Sequence, residues 1–79
     1  MTLRYWAAAR EAAGHAEERL DASSAADLRA QLAARGGRLA AVTAISTLLL
    51  ADGSRLAAGS DRPLGDGDVV EVLPPFAGG

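Results

Sequence analysis

At 79 residues the chain has room for one domain built on one small core. Hydrophobic residues make up 49% of it, but many are alanines and the aromatics are Tyr5, Trp6 and Phe76 alone, so a large apolar side chain on the surface is one the core lacks. A net charge of −2 with eight scattered arginines gives no concentrated surface for nucleic acid, and the absence of cysteine excludes disulfides, thiol nucleophiles and thiolate metal sites.

Residues 2–7 read as a first strand. Period-two alternation puts Leu3, Tyr5 and Ala7 on one face and Arg4 and Trp6 on the other. Residues 8–14 fit a helical turn ended by Gly14 or, equally, a loop. His15, the single histidine, is expected in a solvated turn near Glu17 and Glu18 rather than in a ligand set. Residues 16–20 carry enough charge for an edge strand folded back on the first as a hairpin.

A helix is predicted over 24–35. Ser24 is its N-cap, with Asp27 completing a variant of the capping box, and Ala25, Leu28 and Leu32 make one apolar stripe. Arg35 complements the dipole of the last turn, and Gly36-Gly37 supplies a left-handed exit. Residues 38–45 are alanine-rich and have no clear period. The apolar run 46–51 suggests a buried strand, Asp52-Gly53 a tight turn, and Arg55–Ala57 a short strand. After a loop through Gly59, Asp61 and Pro63 and a polar turn at 65–68, a last strand runs from Val69 to Leu73, with Val70 and Val72 inward and Glu71 outward. Strand, strand, helix, strand, short strand, strand is the order of an α+β, β-grasp (ubiquitin-like) roll: a mixed sheet with one main helix on one face. No apolar run approaches the ~20 residues of a membrane span, and the N-terminus carries no apolar leader, so a cytoplasmic location is expected.

The domain is thus expected to occupy residues 1–73 and an extended, flexible tail residues 74–79. Pro74 and Pro75 have no amide hydrogen and end the sheet ladder, and they start the tail stiffly. Six extended residues reach roughly 18–21 Å, enough to enter another protein's active site. Gly78 and Gly79 have no side chains to block a narrow channel. The group such a tail delivers is the Gly79 carboxylate. A carboxylate is a poor electrophile, but transfer of AMP onto it makes a mixed anhydride that a sulfur nucleophile attacks. Beside the tail root, outward Trp6, Val69 and Leu73, extended by Phe76, compose a partner-binding patch if the first and last strands are neighbours.

Tyr5-Trp6-Ala7, Ala9-Arg10-Glu11 and Gly14 resemble the opening of the molybdopterin-synthase small subunit, within the MoaD/ThiS-like sulfur carriers. Leu64-Gly65-Asp66-Gly67-Asp68-Val69-Val70 resembles the family's turn into the last strand, and Pro74-Pro75-Phe76-Ala77-Gly78-Gly79 its C-terminal signature. Trp6 stands where phenylalanine is usual, and Asp52-Gly53 where Asn-Gly is common. The resemblance implies that an E1-like enzyme adenylates Gly79 with ATP and Mg²⁺ and that a persulfide donor converts it to a thiocarboxylate. It implies too that the tail enters the large subunit of molybdopterin synthase, in a heterotetramer, and gives sulfur to a cyclic pyranopterin. By the same resemblance the carrier binds no metal or cofactor itself and is a non-catalytic, sulfur-donating subunit. Sulfur carriage for thiamine thiazole, cysteine or tRNA thiolation is a second expectation within the fold. Attachment of Gly79 to other proteins as a ubiquitin-like modifier is a third, and a plain interaction domain without tail chemistry a fourth.

Overall fold

In a computed structural model, which describes residues 1–75, strand β1 (Thr2–Tyr5) is two residues shorter than expected. Leu3 and Tyr5 are buried and Arg4 is exposed, as alternation requires. The strand stops because Ala7 takes a left-handed φ of 49°, which turns the chain off the sheet. Trp6 becomes the N-cap of helix α1 (Ala7–Ala13), and Ala7, expected to face inward from the strand, is the exposed first residue of that helix. Gly14 ends α1 at φ 84°, its N–H donating to the Arg10 carbonyl, so the choice left open for residues 8–14 falls to helix.

Strand β2 (Glu17–Arg19) pairs antiparallel with β1 at the sheet edge. Its register sets Glu18 opposite Leu3, so the Glu18 carboxylate lies on the inward side of the rim. There it accepts hydrogen bonds from the Tyr5 hydroxyl at 2.9 Å and from Arg35 Nη1 at 3.2 Å, and pairs with His15 Nε2 at 2.9 Å. The Arg35 hydrogen bonds, aided by those of His15 and Tyr5, outweigh partial burial and hold the Glu18 pKa down to about 2. His15 is therefore tied into this cluster as well as exposed, its ring edge-on to Tyr5 at 5.7 Å. An inward-pointing charge on an edge strand also discourages further pairing.

Helix α2 (Ala25–Ala34) starts at Ser24, whose hydroxyl accepts the Asp27 N–H at 3.1 Å. Asp27 returns the contact one residue further out, accepting the Ser23 N–H at 2.9 Å. Ala25, Leu28 and Leu32 are buried in the core. Arg35 is the C-cap, but its guanidinium reaches across to Glu18. Gly36 and Gly37, at φ 68° and 59°, turn the chain directly into helix α3 (Gly37–Ala44), which fills the segment that has no sequence period. It buries only Leu39 and Thr43, and the Thr43 hydroxyl donates back to the Leu39 carbonyl at 2.9 Å.

Strand β3 (Thr47–Leu50) pairs antiparallel with β4 (Val69–Leu73), and β4 runs parallel to β1, giving the order β2-β1-β4-β3. The short strand expected at 55–57 reduces to an isolated bridge between Arg55 and Leu49, with the Leu56 N–H donating to Leu48. Leu3, Leu28, Leu48, Val70 and Val72 are the largest fully buried side chains, so sheet and α2 share one core. This mixed sheet with helices is a β-grasp, ubiquitin-like fold. Among the described residues no helix is long and apolar enough to cross a membrane.

Candidate functional site

The parallel pairing of β1 with β4 decides which side chains meet on the outward face. Arg4 stands opposite Glu71, and Glu17 of β2 stands opposite Arg4. The Trp6 N–H donates to the Val72 carbonyl at 3.2 Å, which carries the register one step beyond β1 and sets Trp6 beside Leu73. Alternation along β4 then puts Val69, Glu71 and Leu73 on the face that carries Arg4 and Trp6.

Trp6 is 43% exposed, so it fills no second core. Leu73 beside it is half-buried, and so is Val69, which stands opposite Thr2 at the far end of the same face. Of the expected patch, Trp6 and Leu73 are adjacent and Val69 shares their face at a distance, and the surface between them is not purely apolar. Glu71 lies between Val69 and Leu73 and accepts the indole N–H at 3.3 Å. Arg4 Nη1 lies 3.7 Å from the same Glu71 oxygen, and its Nε lies 3.9 Å from Glu17. The Arg4 Cζ atom sits 5.5 Å from the centre of the Trp6 ring, within cation–π range. A hollow of about 260 Å³ beside the ring is lined by Arg4, Tyr5, Trp6, Arg10, Ala16 and Glu17.

The tail root adjoins this face. β4 ends at Leu73, where the proline pair begins; Pro74 still packs against the body and Pro75 is exposed. Phe76, Gly78 and Gly79, with the extended form expected for the tail, lie outside the described residues. Among the described residues no group of three His, Cys, Asp or Glu side chains gathers as a metal site. The cleft of about 210 Å³ between α2 and α3, lined by residues such as Leu32, Ala40 and Thr43, contains none of the candidate residues. The outward face thus offers apolar area, one hydrogen-bonded aromatic and paired charges, which is equipment for docking.

Trp6, Val69 and Leu73 share one face as alternation predicts, but only Leu73 is a neighbour of Trp6. Arg4 and Glu71 were overlooked as parts of the same site, although both are outward by the same period-two rule. Their meeting needed the parallel register between the first and last strands, which no local pattern displays.

A search of curated protein sequences finds no match. Among solved structures, a chain of the "protein-protein complex of subunit 1 and 2 of Molybdopterin-converting factor" from Helicobacter pylori 26695 superposes with a TM-score of 0.73 at 26% identity, over 99% of this chain and 96% of that one. The model of the ThiS family matches residues 3–79, from β1 through the terminal glycines. On that match and that fold, the chain belongs to the ThiS family of sulfur carriers.

Proposed function

We propose that this sulfur carrier works as the small subunit of molybdopterin synthase, with the Gly79 carboxylate as its sulfur-bearing group. The observation that carries the reading is its nearly full-length likeness to a chain of the molybdopterin-converting factor complex. The outward Trp6–Leu73 face at the root of the tail supports it, as an exposed aromatic surface suited to docking.

The chemistry follows from the weakness of a carboxylate as an electrophile. An E1-like enzyme, using ATP and Mg²⁺, joins a Gly79 carboxylate oxygen to the α-phosphorus of ATP and releases pyrophosphate. The terminal sulfur of a persulfide donor attacks the acyl carbon, and AMP leaves with its electron pair. A thiol reductant then cleaves the acyl disulfide and leaves the thiocarboxylate. Adenylation replaces oxide, a hopeless leaving group, with AMP, a workable one, and the two later steps then run on ordinary acyl substitution and thiol–disulfide exchange. The larger synthase subunit receives the tail, supplies the catalytic residues and directs the sulfur onto a cyclic pyranopterin. Trp6, Val69, Leu73 and Phe76 form the docking surface, while Gly78 and Gly79 thread the channel.

The family also contains thiamine carriers, so thiazole formation is the second reading. Reconstitution separates the two. Thiocarboxylated carrier mixed with the larger synthase subunit and the cyclic pyranopterin is expected to yield molybdopterin, and a C-terminal extension beyond Gly79 is expected to abolish that yield. Sulfur transfer to a thiazole synthase, with none to the synthase subunit, would overturn the pathway assignment.

A further inference from the structure

We infer that Arg4 and Glu71 are positioning residues: they hold the Trp6 indole in one orientation as a ready-made anchor for the larger, tail-accepting synthase subunit. This inference rests on the docking role proposed for Trp6.

An exposed tryptophan on a sheet surface is free to change rotamer, and fixing it only on contact weakens binding through lost side-chain entropy. Here the ring is held at its edge and from its face. Glu71 of β4 accepts the ring N–H at 3.3 Å, while the Arg4 guanidinium of β1 lies 5.5 Å from the ring centre. The two holders are themselves tied together, 3.7 Å apart at the same carboxylate oxygen, and Glu17 lies 3.9 Å from Arg4 on the far side. The arrangement is set by strand register: Arg4 and Glu71 are direct partners in the parallel pair, and Trp6 is the next outward position along the chain. A loop would not fix three side chains this way.

The occupant follows from where the described chain ends. Leu73 stands beside Trp6, and Gly79 lies four residues past Pro75. Four residues extend at most about 14 Å. A protein that encloses Gly79 must bring its surface within that reach of the tail root, and Trp6 is an exposed aromatic side chain directly beside Leu73 there. Once water is excluded, the Glu71–indole hydrogen bond and the Arg4 contact strengthen without any new ordering.

The test is calorimetric titration of the full chain with the larger synthase subunit. Glu71→Ala is expected to raise Kd about tenfold. Glu71→Gln keeps a carbonyl oxygen for the indole N–H and should stay within about threefold. In a Trp6→Phe background, where no ring N–H exists, Glu71→Ala should change Kd by less than about twofold. Trp6 is the single tryptophan, so time-resolved fluorescence anisotropy of the free protein reads it alone. A fast component should appear in Glu71→Ala and not in Glu71→Gln. The same loss of affinity in both backgrounds, or none in the native one, overturns the positioning role. So does unchanged anisotropy. A loss directed only at the activating enzyme overturns the assigned occupant. If Trp6→Ala leaves Kd unchanged, the docking reading falls and this inference falls with it.

Discussion

The two faces of the sheet are one residue apart along the same strands and have opposite fates. Inward, Leu3, Val70 and Val72 expose none of their surface. Outward, Arg4 and Trp6 are exposed, and Val69, Glu71 and Leu73 remain half-buried. Two-residue periodicity thus separates the side chains that make the fold from those proposed to meet a partner. The difference teaches that in so small a domain alternate residues of β1 and β4 are either committed to the core or left free of it, so on the proposed docking role stability and recognition can be changed separately.

The largest effect should come from the inward side. Leu28→Ala or Leu32→Ala empties space in a core with few large side chains and is expected to cost ~2–5 kcal/mol in urea unfolding. A loss under about half a kilocalorie per mole at both sites would contradict their role as the helix's core stripe. On the outward face the pattern should reverse. Trp6→Ala is expected to weaken binding to the larger subunit by about thirtyfold or more, as an anchor residue does, while Tm moves only a few degrees. A Trp6→Ala protein that fails to fold would show that the faces are not separable.

A smaller effect belongs to the rim between them. Glu18 has a folded pKa of about 2 against an ordinary 4.5, so its contribution is fully present above pH 4.5 and is lost as the pH falls through 2. Stability measured across that window should decline in the native protein and decline less steeply in Glu18→Gln. Identical slopes would remove Glu18 from the account. The smallest effect is expected at Ile45, exposed just past the end of α3 and making none of the contacts described for Trp6. Ile45→Ser should leave partner affinity unchanged and stability within about 0.5 kcal/mol. A marked loss of affinity there would extend the docking surface beyond the Trp6 face.

The elements legible in the sequence were those with local signals. Ser24 and Asp27 announced the start of α2, Leu28 and Leu32 its buried side, and Gly-Asp-Gly-Asp the entry to β4. α3 was not legible, because alanines on every side give no contrast between buried and exposed positions. The end of β1 was misplaced by two residues because Ala7 adopts a left-handed turn that alanine seldom takes. The site divides in the same way. Alternation put Trp6, Val69 and Leu73 outward, but the contacts of Glu71 with Trp6 and Arg4, and of Glu18 with Arg35, depend on pairing between distant segments. Gly78 and Gly79 owe their place in the account to residue chemistry and family kinship alone.

The central claim, that Gly79 bears the sulfur, is tested most directly by intact mass spectrometry. The full chain is incubated with its E1-like activating enzyme, ATP, Mg²⁺, a persulfide donor and a thiol reductant. The account predicts a mass gain of one oxygen-to-sulfur exchange, located in the C-terminal peptide, dependent on ATP and absent when Gly79 is deleted. An unchanged mass with an activating enzyme shown to be competent, or a sulfur adduct elsewhere in the chain, would contradict it.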